Sequence, residues 1–399
     1  MPGQATEQRK KTGRKQPPQP SIAENRLKIT LAAAMFAGLA LSPKLWLSAR
    51  VYPLTPVWRH MGAIPVPLDY ILYAALLALL VVIAVISRPA KFIAAFAVLA
   101  IVVALFDQSR WQPWFYQYLA MLIAVGLYDH RREALNTGRL IVVCTYLWSG
   151  LQKTNADFVR HVFPFMIEPL TRLPPASIGT AMNSMGILAP LIECAIGIGL
   201  LTRRFRTAAV FAGLAMHAFI LLAIGPLGQN SNSVVWPWNV AMMCLLVVLF
   251  WKRPELSARE IVWPVDMYQK IVFALFAIAP VLSFFNLWDG YLSSALYSGT
   301  RNSANIYVSD ALRDRLPPEI REHIYPSNKP GTDILIPREW SMSVLNAGIN
   351  AEPRIYKSLG RYICRYAKNP DDVKLWIKQT NVLFSADKQV AYEIGRAHV

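Results

Sequence analysis

LDYILYAALLALLVVIAVISRPAKFIAAFAVLAIVVALF, residues 68–106, decides the fold. It holds two apolar runs, 68–87 and 91–106, parted only by a short connection carrying Arg88 and Lys91. A hydrocarbon core about 30 Å thick is crossed by about 17–25 apolar residues of helix, so each run reads as a membrane-spanning segment. Working outward in both directions, similar runs occur at 29–47, 112–128, 138–154, 187–201, 206–225, 234–251 and 268–288. Across the chain 54% of residues are hydrophobic, 16% are charged and the mean hydropathy is +0.32. A single soluble core cannot hide that much apolar surface. The expectation is an all-α integral membrane protein with about nine transmembrane helices.

Basic residues set the orientation, because Lys and Arg concentrate in cytoplasmic connections. Arg9, Lys10, Lys11, Arg14, Lys15, Arg26 and Lys28 precede the first run. Every second connection is basic again, through Arg88 and Lys91, Arg131, Arg132 and Arg139, Arg203, Arg204 and Arg206, and Lys252, Arg253 and Arg259. The connection 226–233 has no positive charge. This pattern places the N-terminus in the cytoplasm and the last hundred residues outside. The expected divisions are a disordered basic arm over 1–27, a transmembrane region over 28–290 and a small external appendage over 291–392. Residues 393–399 read as a translated sequencing adapter and are set apart from the fold.

The net charge of +17 is divided between the arm, the cytoplasmic connections and the tail. The lipid bilayer is therefore the expected partner and nucleic acid is not; the arm reads as a contact for anionic headgroups. Cys144, Cys194 and Cys244 fall in apolar runs and Cys364 in the tail, a distribution with neither a disulfide framework nor zinc-ligand spacing, so no metal is expected. The chain has no Asn-x-Ser/Thr sequon, which favours a bacterial plasma membrane. In the tail, 310–315 and 317–323 read as short polar helices and 353–366 as one external helix or strand. The tail carries no nucleotide or phosphate motif, and it is expected to cap a cavity mouth.

Ionisable side chains inside a membrane are costly and face a bundle interior or a wet cavity. Here they gather towards one side. Asp107 and Arg110 end the third run, Lys153 ends the fifth, Glu193 lies in the outer half of the sixth, His217 lies past the midpoint of the seventh, and Trp236, Trp238 and Asn239 open the eighth. Plainer readings exist for each: an interfacial lysine that snorkels, an aromatic belt of Trp111, Trp114, Trp236 and Trp238, and a histidine tying two helices. Glu193 needs a partner at that depth, such as His217 or Arg110. Together the groups suggest an outward-opening pocket.

The segment YLWSGLQKTNADF, residues 146–158, resembles a segment of the vitamin K-dependent gamma-carboxylases through Gly150, Lys153, Ala156 and Asp157. DQSRWQPWFYQY, residues 107–118, is similar to a second family motif through Asp107, Trp111, Tyr116 and Tyr118. A weaker match involves His217, Phe219, Ile224 and Gly225. The resemblance covers residues 25–290, the helical region called the HTTM domain. It implies that Lys153 is a base acting on a reduced naphthoquinone, vitamin K hydroquinone. Oxygen would then give the quinone epoxide, and a strong base would prepare a protein glutamate for carbon dioxide, making the chain a carbon–carbon lyase and quinol epoxidase at the outer membrane face. The expected catalytic residues are Lys153, His217 and Glu193, and the expected substrate-binding residues are Asp107, Arg110, Trp111, Trp114, Tyr116, Asn155, Asp157, Trp236, Trp238 and Asn239. The chain departs from the family at Trp114, where a histidine is expected, and at Gln112 and Pro113, where the family has paired asparagines. Its tail is also shorter than the family's substrate-binding region.

A second resemblance, to the four-helix DoxX, DoxD and MauE membrane proteins, rests on the fifth to eighth runs and on the basic turn LLTRRFRTAA, residues 200–209. It implies a quinone-interacting or partner subunit. A third alternative is a non-catalytic structural membrane protein whose polar cluster only ties helices together.

Overall fold

The computed structural model describes residues 21–58, 60–128, 132–253 and 255–380, and the backbone of 388–393. Residues 1–20 of the basic arm, Arg131 of the second basic connection and residues 394–399 of the adapter-like stretch lie outside the described residues. Glu393, the first residue of that stretch, closes a strand opposite Lys374.

Each of the nine apolar runs lies on a helix. In chain order these are α1 (Ile22–Leu41), α2 (Leu68–Val85), α3 (Ala90–Leu105), α4 (Pro113–Leu127) and α5 (Arg132–Gln152). After α6 (Phe163–Thr171) come α7 (Ala176–Leu201), α8 (Arg206–Ile224), α9 (Val235–Phe250) and α10 (Met267–Phe285). Of these, α2, α7, α8 and α10 are long and apolar enough to cross a membrane. That set is smaller than the sequence expectation, for two physical reasons. Helices α3, α4 and α9 are apolar but only 15–16 residues long, and at about 1.5 Å per residue they fall short of a 30 Å core. Helices α1 and α5 are long but begin in polar turns, with Glu24, Asn25 and Arg26 in one and Arg132, Glu133, Asn136 and Arg139 in the other.

The expected boundary between arm and first helix at residue 28 is also revised. Ser21 and Glu24 form a reciprocal capping box, each side chain meeting the other's backbone N–H, and this starts α1 at Ile22. At the far end of the bundle α10 passes from α-helix into a π turn over Ala274–Ile278 and then a 3-10 stretch over Ala279–Phe285 that holds Pro280. A proline there has no N–H to donate and crowds the preceding turn.

Helix α1 packs against α2, α4 and α9, while α5 lies along α7 and α8 bridges α7 and α9. One end of this bundle is knit by basic side chains: Lys28 Nζ donates to the Ile86 carbonyl at 2.6 Å, Arg139 Nε to Leu249 at 2.9 Å, and Arg206 to Leu200, Arg253 and Leu256. The other end carries the tail.

That tail corrects the all-α expectation. It contains a five-stranded antiparallel sheet in the order β2-β3-β1-β4-β5, with β1 Ser303–Ser309, β2 Ile324–Pro326, β3 Thr332–Leu335, β4 Val373–Gln379 and β5 Lys388–Glu393. The centre alternates as a half-buried sheet should: Ala304, Ile306 and Val308 of β1 are buried beside Val373, Leu375 and Ile377 of β4. Short helices do form at Asp310–Arg313 and Pro318–Arg321, and the stretch read as helix or strand is a helix, α12 (Pro353–Cys364). Its Ile355, Leu359 and Ile363, one turn apart, are fully buried in the core that also holds the sheet's inner side chains. Side-chain bonds fasten this unit to the bundle: Asn346 Nδ2 donates to the Leu41 carbonyl at 2.9 Å, Arg354 Nε to Gln108 at 2.7 Å, and Gln112 Nε2 to the Gly348 carbonyl at 3.2 Å.

Candidate functional site

Two glycines determine how closely α5 and α7 approach. A Cβ on Gly150 would stand 2.6 Å from Cys194 Sγ and 2.7 Å from the Pro190 carbonyl, and one on Gly197 would stand 2.8 Å from the Leu147 side chain. With hydrogen at both positions the backbones close together, and Glu193 of α7 comes to face Lys153, which follows the last turn of α5. The Lys153 ammonium donates to both carboxylate oxygens of Glu193, at 2.9 and 2.8 Å, and to Ser149 Oγ one turn back. All three of its donors are thus engaged. The two residues are only 8% and 6% exposed, so the partner expected to be His217 or Arg110 is Lys153 instead. A buried carboxylate takes the nearest cation that can satisfy both its oxygens, and that cation lies across the glycine crossing.

Beyond this pair a cavity of about 590 Å³ opens between α5, α7, α8 and α9. Its wall is chiefly apolar and includes Met166, Met182, Met216 and Met242, flexible side chains that adapt to a ligand's shape. Helices α7 and α8 close tightly where a Cβ on Gly199 would meet Ala209 at 2.8 Å. Further along, Met185, Leu188, Ile192 and Phe219 of these two helices line the cavity and are 39–54% exposed. Ser294, Leu296 and Tyr297, from the start of the expected external region, complete the lining.

A second polar station faces the same cavity. Tyr146, one residue beyond Thr145 on α5, places its hydroxyl 2.7 Å from His217 Nε2 of α8, and His217 Nδ1 lies 2.8 Å from Asn239 Oδ1 of α9. The Asn239 amide nitrogen donates to the Val235 carbonyl at 2.9 Å, which fixes its oxygen as the acceptor towards the histidine. His217 therefore carries its proton on Nδ1, and Nε2 accepts from Tyr146. Gly213, one turn before His217, leaves room for this contact, since a Cβ there would press on Leu246 at 2.6 Å and on the Tyr146 hydroxyl at 3.3 Å.

The structure brings Lys153, Glu193, His217, Trp238 and Asn239 into one cavity wall. The remaining candidates lie elsewhere, where they make structural contacts. Asp107 is fully buried and accepts from Arg50, from Thr55 and from the Ser109 N–H. Burial opposes its ionisation, yet Arg50 and Arg110 hold the carboxyl below the ordinary range. Arg110 spends its guanidinium on the carbonyls of Leu45, Trp46 and Val103, closing the ends of neighbouring helical turns. Trp111 and Trp114 pack edge-on against Phe115, and Trp114 also fills the space above Gly38. Tyr116 stacks on Phe276 with centroids 4.4 Å apart. Asn155 clamps the chain by donating to the Gln152 and Ser298 carbonyls, Asp157 pairs with exposed His161, and Trp236 donates to the Ile224 carbonyl.

Sequence reasoning passed over Tyr146 and Ser149, although both lie in the quoted 146–158 segment. Their spacing with Lys153, at i, i+3 and i+7 on one helix face, is the signal that could have found them. No family model, curated protein or solved structure matches this chain.

Proposed function

We propose that the chain crosses a bacterial plasma membrane about nine times, N-terminus in the cytoplasm, and that its cavity binds a reduced naphthoquinone for a quinol-linked oxidation or epoxidation at the outer face. The observation that carries this reading is the Lys153–Glu193 pair, with Ser149, set in the wall of an apolar cavity. Such volumes, lined by apolar groups with a few convergent polar ones, suit small lipophilic ligands. A bicyclic ring fits about 590 Å³, and an isoprenoid tail would leave past Met185, Leu188, Ile192 and Phe219 into lipid. The resemblance of the 146–158 segment to the gamma-carboxylases points to the same ligand class. Carboxylation of a protein glutamate is the further step that resemblance implies.

Lys153 acts here as a fixed cation that stabilises negative charge on a bound hydroxyl oxygen once that oxygen displaces Ser149 from one of its three donors. Glu193 holds the cation in place and Ser149 orients it until then. This assignment favours a second reading, a quinone-binding subunit of the DoxX or DoxD kind that works with a membrane partner, because a cation grips a ligand without turning it over.

The purified protein, given a reduced naphthoquinone and oxygen, is expected to form the epoxide, detected by chromatography. Lys153→Ala should reduce the yield by about a hundredfold, the usual effect of removing a charge aimed at a developing oxyanion. Lys153→Arg keeps the charge and can grip Glu193 with two N–H groups, but it stays protonated. Activity within about tenfold of wild type supports the cation role, and complete loss means that the lysine is the base. Binding without turnover selects the subunit reading, and absence of binding leaves a structural membrane protein.

A further inference from the structure

We propose that Tyr146, His217 and Asn239 form a proton relay that removes the proton from a hydroxyl bound in the cavity; this rests on the quinol reading above. Each link is a buried hydrogen bond with an assigned direction: Tyr146 O–H to His217 Nε2 at 2.7 Å, and His217 Nδ1–H to Asn239 Oδ1 at 2.8 Å. The Tyr146 oxygen receives no hydrogen bond among the described residues, so it is free to accept one from a ligand. The proton balance is complete. The ligand O–H bond breaks as its proton joins the Tyr146 oxygen, the Tyr146 proton moves to His217 Nε2, and the imidazole becomes an imidazolium whose Nδ1–H stays on Asn239. The ligand oxygen keeps the electron pair, and the imidazolium formed on His217 balances its charge. A tyrosine hydroxyl between ligand and imidazole lets the histidine act without touching the ligand. The Lys153 ammonium, whose donors already hold Glu193 and Ser149, has no lone pair to offer.

A plain interhelical tie would need the same bonds, so the decisive substitution keeps the ties and removes the titration. His217→Gln can still accept from Tyr146 and donate to Asn239, but it takes up no proton. Tyr146→Phe removes the relay hydroxyl. The probe is 1-naphthol, whose absorbance moves to longer wavelength when it ionises, titrated against protein in lipid nanodiscs without any turnover. Wild-type protein is expected to lower the pH at which bound naphthol ionises by at least one unit. His217→Gln should bind it within about threefold of wild type, and both His217→Gln and Tyr146→Phe should lose that shift, a shift of one unit being a tenfold change in ionisation equilibrium. Bound naphthol that ionises as in water, or a shift that survives His217→Gln, overturns the relay alone. Failure of naphthol to bind overturns the quinol reading and the relay with it.

Discussion

At Lys153 the cost of burying a charge is met by one neighbour rather than by water. An ammonium and a carboxylate, 8% and 6% exposed, neutralise each other at 2.8–2.9 Å. Removing one half leaves the other as an uncompensated buried charge, which costs about 3–5 kcal/mol, whereas removing both and filling the volume with apolar atoms is often neutral. Lys153→Met and Glu193→Gln should therefore each lower thermal stability in detergent sharply, while the double substitution Lys153→Met with Glu193→Leu should sit above either single one. Strictly additive losses would mean that the two groups do not act as a pair. The sequence makes Lys153 and Glu193 conspicuous, because ionisable residues in apolar runs are rare. It does not make their pairing visible, because that depends on the separation of two helices, which hydrogen at Gly150 and Gly197 sets and which no local pattern encodes. The same limit explains Asp107, Arg110 and Trp114. In sequence they look like site residues, and in space they seal helix ends and fill the gap over Gly38.

Among the elements, the helices were legible and the sheet was not. Apolar runs fix helix positions to within a few residues, as with 206–225 against Arg206–Ile224. The strands of the tail are short, separated by turns and helices, and assembled from distant pieces, so that β1 pairs with β4 some seventy residues later. Their alternation, SANIYVS and VKLWIKQ, was present but masked by the helical signals between them. One carboxylate ties these strands together. Asp372 accepts from the Lys368 and Asn369 N–H groups at 2.9 and 3.0 Å, from Ser309 at the end of β1 at 2.9 Å, and from Arg315 at 2.7 Å. Burial raises its pKa, but these bonds outweigh burial and bring it down to about 2. A carboxyl lower in the folded than in the unfolded state, where it titrates near about 3.9, adds stability that is complete above that value and lost as pH falls through the folded one. Hydrogen exchange of β1 and β4 amides, corrected for intrinsic rates, should show protection weakening between about pH 4 and pH 2. Asp372→Asn should lower protection at neutral pH and flatten that dependence. An unchanged profile in Asp372→Asn would assign the acid sensitivity to other groups.

For the whole molecule, the question is which way each helix runs. The tail docks at one end of the bundle only. The opposite end is stitched by Lys28, Arg139 and Arg206 to backbone carbonyls, and the docking end receives the tail at Leu41, Gln108, Gln112, Asn155 and Ser233. Those five positions end α1, precede α4, follow α5 and precede α9, helix ends that the charge pattern expects on the outside. Tail contacts that fall at the ends the charge pattern expects outside are consistent with one alternation of directions. The short helices α3, α4 and α9 would then cross a locally thinned bilayer, or one in which flanking residues reach for the headgroups. A reporter active only outside the cytoplasm should accordingly be silent when fused after Arg132 or Arg204 and active when fused after Gln229 or Ser309. The fusion after Arg204 is the decisive one, since it follows α7 and precedes α8, two of the helices long and apolar enough to cross on their own. Activity there would reverse both helices, put the Lys153–Glu193 pair in the cytoplasmic half, and break the alternation on which a nine-crossing arrangement depends. Silence there with activity after Gln229 would fix α8 as an outward crossing, with the cavity of Glu193 and His217 in its outer half.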